Sequence, residues 1–237
     1  MMYGYGNSMF LFNNGIIATP AANPLWDSLY AAYKAESNAD DSLGVYNGTA
    51  QGGLTYGTGV SGSDFVFNGT NAYVSLANNS LNFTTDFSVS AWINLANITG
   101  TKVIIGNLLQ TPITRGWRFE VSADTLGLYI FDASSNTFLQ AGGSPLSAST
   151  WYHVVFTRLG STRTRIYVNG SSSISNSDTR NPVNDTTMYT TIGVNQFGSS
   201  NFSGYFNGSI DEVYVWNREI TADEVTELYN SGSGTFY

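Results

Sequence analysis

The sequence predicts an all-β protein: an antiparallel two-sheet sandwich with one short C-terminal helix and an extended N-terminal arm. Three observations carry this. Aromatic residues make up 14% of the 237-residue chain and charged residues only 11%, with Gly, Asn, Ser and Thr filling most of the remainder. That is the composition of packed strands joined by many turns. Segments with a strand period recur at short intervals from about Leu29, and a single helix signal stands near the C-terminus. One domain is expected, because all-β sandwiches commonly run to about 200–250 residues as a single unit.

Residues 1–26, MMYGYGNSMFLFNNGIIATPAANPLW, contain no charge and mix aromatics with Gly, Asn and Pro. They read as an arm distinct from the domain at 27–237. The arm is either a tail or edge strand of the same domain, or an anchor that pairs with other subunits by burying Met9, Phe10, Leu11, Phe12, Ile16 and Ile17. A secretory leader is not expected, since no Lys or Arg opens the segment and Asn13, Asn14 and Gly15 interrupt its apolar stretch.

The segment LYAAYKAES (29–37) fits a helix through Leu29, Ala32, Tyr33 and Glu36, and a strand through Leu29, Ala31, Tyr33 and Ala35. In FSVSAWINL, Phe87, Val89, Ala91, Ile93 and Leu95 alternate with Ser88, Ser90, Trp92 and Asn94, the pattern of a half-buried strand. WRFEV (117–121) and LGLYIF (126–131) flank a turn and should form a hairpin; WYHVVFTRL (151–159) and RTRIYVNG (163–170) should form a second. TTIGV (190–194) and GSIDEVYVW (208–216) complete the strands, and 169–185 reads as a long exposed loop. Thr221 as N-cap with Glu224 three residues later marks a helix start, and Ile220 and Val225 can staple it. Val225, Leu228 and Tyr229 give it one apolar face before NSGSG ends it.

A formal charge of −8 with nine scattered Lys and Arg argues against nucleic acid as a partner. The absence of cysteine excludes a disulfide framework, a thiolate nucleophile and Cys-ligated metal. No apolar run approaches the roughly 20 residues of a membrane-spanning helix. Nine Asn-x-Ser/Thr sites, at Asn47, Asn68, Asn78, Asn82, Asn97, Asn169, Asn184, Asn201 and Asn207, follow from a composition rich in Asn, Ser and Thr.

Four blocks, DFVFNGTNAYVSL (64–76), DFSVSAWIN (86–94), WYHVVFTRLGSTRTRIYVNG (151–170) and YFNGSIDEVYVWNREITADEVTELYNSG (205–232), resemble in order the signature blocks of laminin-G-like jelly rolls in the concanavalin A-like lectin/glucanase superfamily. The resemblance implies a jelly-roll topology over about residues 27–232, and makes LYAAYKAES the first strand. Function stays open, because this fold carries lectins, adhesion modules, glycosidases and spacers.

Retaining glycosidases on this fold use a Glu-x-Asp-x-x-Glu strand motif that sets two carboxyls about 5 Å apart, and the chain has none. Asp211 and Glu212 are adjacent on an expected strand, so their side chains should point to opposite faces. His153, the only histidine, sits in WYHVVF and is expected to be packed and structural. The chain therefore reads as a non-enzyme. The resemblance implies a calcium site with Asp41 and Asp211 as ligands; the alternative is that Asp41 forms a turn and Asp211 accepts from backbone N–H groups. Trp117 with Arg118, Trp92, Tyr129 and Trp216 are conceivable sugar platforms, each more often a core residue.

Two functions are expected. One is a virion surface component of a bacteriophage, a capsid decoration, head fibre or tail accessory. It would be homo-oligomeric, made in the host cytoplasm and joined to other virion subunits through the arm. The other is a carbohydrate-binding lectin module acting on extracellular or cell-surface glycans.

Overall fold

A computed structural model of the chain describes residues 23–237 apart from 79, 110–114, 133–135, 141–144, 178–179 and 184–186. The expected anchor residues Met9, Phe10, Leu11, Phe12, Ile16 and Ile17 lie outside the described residues. In chain order the elements are α1 (Pro24–Asp27), β1 (Leu29–Tyr33), β2 (Thr49–Gln51), β3 (Thr55–Thr58), β4 (Ser63–Asn68), β5 (Tyr73–Ser75), β6 (Phe87–Leu95), β7 (Thr101–Gly106), β8 (Arg115–Ser122) and β9 (Thr125–Asp132). They continue with β10 (Asn136–Gln140), β11 (Trp151–Leu159), β12 (Arg163–Val168), β13 (Ser171–Asn176), β14 (Thr191–Ile192), β15 (Asn195–Gln196), β16 (Phe202–Ser203), β17 (Asn207–Trp216) and α2 (Ala222–Tyr229).

Two antiparallel sheets form the sandwich. One runs β13-β12-β11-β6-β17-β4-β3 with β1 also paired to β17; the other runs β10-β9-β8-β7-β14-β5-β2. Period-two alternation fills the space between them. Phe87 and Phe156 from the first sheet meet Trp117 and Phe119 from the second, with ring centroids 5.1–5.6 Å apart, the tilted and edge-on contacts that aromatic quadrupoles favour. Both expected hairpins form, β8 with β9 and β11 with β12. LYAAYKAES begins as a strand: Ala31 and Tyr33 enter the main core and Ala32 faces the other way.

The outer face of the eight-stranded sheet is covered as well. Val155, Tyr167, Tyr214 and Trp216 pack there against Leu25 of α1 and Ile220, Val225 and Leu228 around α2. β6 is therefore buried on both faces rather than half-buried, and Ser88 spends its hydroxyl on the α2 approach, accepting from Ile220 N and donating to Arg218 O. The α2 capping box forms as expected, with Thr221 and Glu224 satisfying each other's backbone N–H.

Two boundaries differ from expectation. Residues 23–27 are part of the packed domain rather than of a separate arm, because Trp216 Nε1 donates to Leu25 O at 2.8 Å and Arg218 Nη2 to Pro24 O at 3.0 Å. Within 169–185, Ser171–Asn176 is an edge strand, β13, whose polar exposed side chains blunt the sheet edge. Two of the Asn-x-Thr triplets are Asx turns: Asn68 Oδ1 accepts from the N–H and hydroxyl of Thr70, and Asn97 Oδ1 from those of Thr99.

Candidate functional site

Alternation along β8 and β9 decides what the outer face of the seven-stranded sheet offers. Trp117, Phe119 and Val121 enter the core, as do Leu126, Leu128 and Ile130, so Arg118, Glu120, Tyr129 and Phe131 point outward. Arg118 Nε lies 2.5 Å from Glu120 Oε2, and the Glu120 side chain is only 2% exposed. The Arg118 guanidinium sits 4.8 Å above the Tyr129 ring, with which it is in direct register. Tyr129 in turn stacks on Phe131 at 5.9 Å with ring planes 13° apart. Burial raises the Glu120 carboxyl above its ordinary range, opposed by the charge and hydrogen bond of Arg118. Burial also raises the Tyr129 phenol, with the Glu120 charge adding and Arg118 opposing.

A second aromatic group stands on the β5 side of the same sheet. Ala72, Val74 and Leu76 enter the core, which turns Tyr73 outward. Its ring is 5.3 Å from Phe202 on β16, and Phe202 is 6.1 Å from Tyr205. All three rings are half-buried. Asn195, on the paired strand β15, is 2% exposed, and its amide nitrogen has no hydrogen-bond partner among the described residues.

The residues singled out from sequence scatter over the fold. Trp117 and Trp216 are core, and Trp92 is buried against His153 and Tyr229 beneath α2. Tyr129 and Arg118 alone come together, half-buried, on the outer face of one sheet. Glu120 was legible in WRFEV, since it shares the face of Arg118; Tyr73 and Phe202 are too far apart in sequence for any local signal. His153 is 1% exposed with Nε2 2.8 Å from Ser90 Oγ, and burial pushes its pKa down to about 3. This neutral Ser–His pair is sealed from substrate.

Asp211 and Glu212 do not obey strand alternation. Glu212 has φ 49° at a bulge in β17, and both residues are fully buried. Asp211 Oδ2 accepts from the N–H groups of Val60 and Ser61 and Oδ1 from Glu212 N, while Glu212 accepts from the Tyr214 hydroxyl. Burial, rather than opposite orientation, denies them a glycosidic bond.

Asp41 Oδ1 accepts from Ala32 N and Leu43 N, and Oδ2 from Val45 N and Tyr46 N. All four acceptor positions are occupied, so Asp41 does not fit as a ligand for a hard cation. Among the described residues no group of three or more His, Asp or Glu could hold a metal ion. A pocket of about 270 Å³ beside β1, lined by Lys34, Glu36, Asn38, Asp40 and Ser42, has no aromatic wall.

Two packed antiparallel sheets, one face sealed by α2 and the other set with outward aromatics, define a lectin-type jelly roll. A laminin-G-type family model described as the concanavalin A-like lectin/glucanases superfamily matches residues 68–226, and the chain belongs to that family. Among solved structures it is similar to domain 4 of AbnA, an extracellular arabinanase from Geobacillus stearothermophilus, in complex with arabinotriose. That match has 20% identity and a TM-score of 0.70, covering 84% of this chain and 97% of that one. The binding domain of Paraclostridial Mosquitocidal Protein 1 matches at 20% identity and TM-score 0.72, over 88% of this chain and 53% of that one. The ligand-binding domain of botulinum neurotoxin serotype D, in complex with N-acetylneuraminic acid, matches at 18% identity and TM-score 0.67, over 86% and 51%. The chain thus spans about half the length of the toxin domains, and at these identities the likeness is one of fold. No curated protein sequence matches the chain. Among the described residues no helix is long and apolar enough to cross a membrane.

Proposed function

We infer that the chain is a non-catalytic glycan-binding module, and that its glycan lies on the outer face of the seven-stranded sheet. The observation that carries this is the Arg118–Glu120 pair set against Tyr129 and Phe131. Aromatic faces with a few fixed polar groups are how a protein grips a sugar, and the part-exposed guanidinium of Arg118, held in place by the buried Glu120, can offer charge-assisted bonds to hydroxyls. Arabinotriose and N-acetylneuraminic acid, the ligands bound in two similar structures, support a sugar as the ligand class. The test is a glycan array probed with the full-length chain, in calcium and in chelator, beside Tyr129→Ala. Reproducible binding that the variant loses is expected; a blank array for the parent protein in both conditions overturns the reading.

A second reading adds display. The uncharged composition of residues 1–26 supports an anchor to other subunits of an assembly, such as a phage virion, with the jelly roll held outward. The test deletes residues 1–22, which leaves the contacts of Leu25 intact. A folded protein that has lost self-association or particle attachment is expected; unchanged association removes the anchor.

A further inference from the structure

The last residue of α2 closes a small compartment on the outer face of the eight-stranded sheet. The His153 ring lies 5.2 Å from Trp92 and 6.1 Å from Tyr229, and the planes of His153 and Tyr229 are 17° apart. Tyr229 also stacks on Trp92 at 6.0 Å. Its ring rests on Gly170, where a Cβ would meet Tyr229 Cδ1 at 2.9 Å and where φ is 75°. Glycine at that turn is what lets the helix end come down so closely. Tyr229 is half-buried, whereas His153 beneath it is 1% exposed.

This compartment has no place for a charged imidazole. Nε2 of His153 meets Ser90 Oγ at 2.8 Å, and Nδ1 has no hydrogen-bond partner. A protonated ring donates from both nitrogens and needs an acceptor at each. The groups that face it are Ser90 and Trp92 on β6, Asn169 and Gly170 after β12, and Tyr229 on α2, none of them charged at neutral pH. Asp211, paired with Trp92 one strand further on, spends its oxygens on the N–H groups of Val60, Ser61 and Glu212. On α2 itself, Glu224 pairs with Arg218, Glu227 accepts from Asn23, and Asp223 is exposed. Burial is the one cause that lowers the pKa of His153, with no neighbouring charge adding or opposing. A proton reaches this ring only if Tyr229 moves and water enters. The helix that carries Tyr229 is eight residues long and buries only Val225 and Leu228, so it is the part of this layer most able to open by itself.

We propose that α2 is a cover released by mild acid: His153 takes up a proton only when Tyr229 lifts, so proton binding draws the helix open and bares the apolar layer of Trp92, Tyr167, Tyr214 and Trp216. The sign follows from linkage. An imidazole in water titrates near pH 6.5, while the closed form stays neutral. Closure is therefore fully favoured above that value and weakens as pH falls below it. The buried Asp211–Glu212 pair acts in the opposite sense, since its carboxyls are raised by the fold.

The experiment is hydrogen exchange of the full chain at pH 7 and pH 5, with protection in 222–229 corrected for the intrinsic pH dependence of exchange. In the parent protein, protection of α2 should fall roughly 20-fold between the two, the shift set by one imidazole of ordinary affinity. Protection in β6 and β11 should hold. In His153→Gln the fall in α2 should largely vanish, which separates the histidine from Glu224 and Glu227; His153→Phe takes its place if that variant does not fold. Because the chain has a single histidine, its ring resonance supplies a second reading. Tyr229→Ala should bring the midpoint of that resonance up toward pH 6.5. Protection of α2 that is independent of pH, that falls equally in β6 and β11, or that falls as much in the histidine variant overturns the cover. So does a histidine that titrates near pH 6.5 in the parent protein while α2 stays protected.

Discussion

Glu212 follows Asp211 directly, yet a left-handed backbone at Glu212 turns both carboxylates into buried surroundings beside the Val60–Ser61 loop. Burial is the main cause that pushes Asp211 up to about 8, the Glu212 charge adding and the N–H groups of Ser61, Val60 and Glu212 opposing. Burial likewise pushes Glu212 up to about 7, opposed by Tyr214, Lys34 and Ser61 and reinforced by Glu36.

The sign of the pH dependence follows. Unfolded carboxyls titrate near pH 4, so between about pH 4 and pH 8 the folded chain holds more protons than the unfolded chain. The contribution of this pair to stability is fully present at acid pH and is lost as pH rises through the folded values. The melting temperature should fall between about pH 4 and pH 8 and level off above that, by roughly 2–4 °C for each kcal/mol lost. Glu212→Gln should flatten that slope. A melting temperature that is level over this range in the parent protein would show that the pair is not protonated in the fold.

Arg118 is what makes Glu120 tolerable on a covered face. Removing one partner of a buried pair leaves an uncompensated charge and typically costs about 3–5 kcal/mol; Arg118 is partly exposed, at 13%, so the lower end of that range is the expected loss in Arg118→Ala. Adding Glu120→Gln should recover most of it. Urea unfolding measures both, and equal stability of single and double variants would show that the pair carries no such coupling.

The sandwich was legible because its signal is local. In β8 and β9 every second residue is large and apolar, and the register that follows places Arg118 over Tyr129 without further information. What was hidden depends on distant parts of the chain. The burial of Ser88, Ser90 and Trp92 on the second face of β6 comes from α2, more than a hundred residues later. The bulge at Glu212 carries no glycine to mark it, and alternation placed its side chain on the wrong face. Tyr73 meets Phe202 only because β5 and the β15–β16 hairpin converge on β14.

The α2 capping box offers a clean local test. Thr221 Oγ1 accepts from Glu224 N at 3.2 Å, and Glu224 Oε2 accepts from Thr221 N at 2.7 Å while also pairing with Arg218. Thr221→Ala should cost about 1 kcal/mol, and Thr221→Ser should restore most of it. Because α2 seals the layer over Trp92 and His153, hydrogen exchange in 222–229 should quicken in Thr221→Ala before the sheets respond. Simultaneous exchange of helix and sheets would mean that α2 opens only with the whole domain.

Calcium is the remaining question at the two aspartates. Asp41 has all four acceptor positions filled by backbone N–H groups, and Asp211 has three such bonds. A cation at Asp41 would have to displace bonds that organise the loop from Asp41 to Asn47, and losing the partner of the buried Ala32 N–H alone would cost about 1–3 kcal/mol. Melting temperatures in calcium and in chelator should therefore agree. Asp41→Asn can keep only one carbonyl oxygen and turns an amide toward two of the four donors, so it should lower the melting temperature equally in both conditions. A rise in calcium that Asp211→Asn abolishes would restore the metal and would mean that the loop rearranges to receive it.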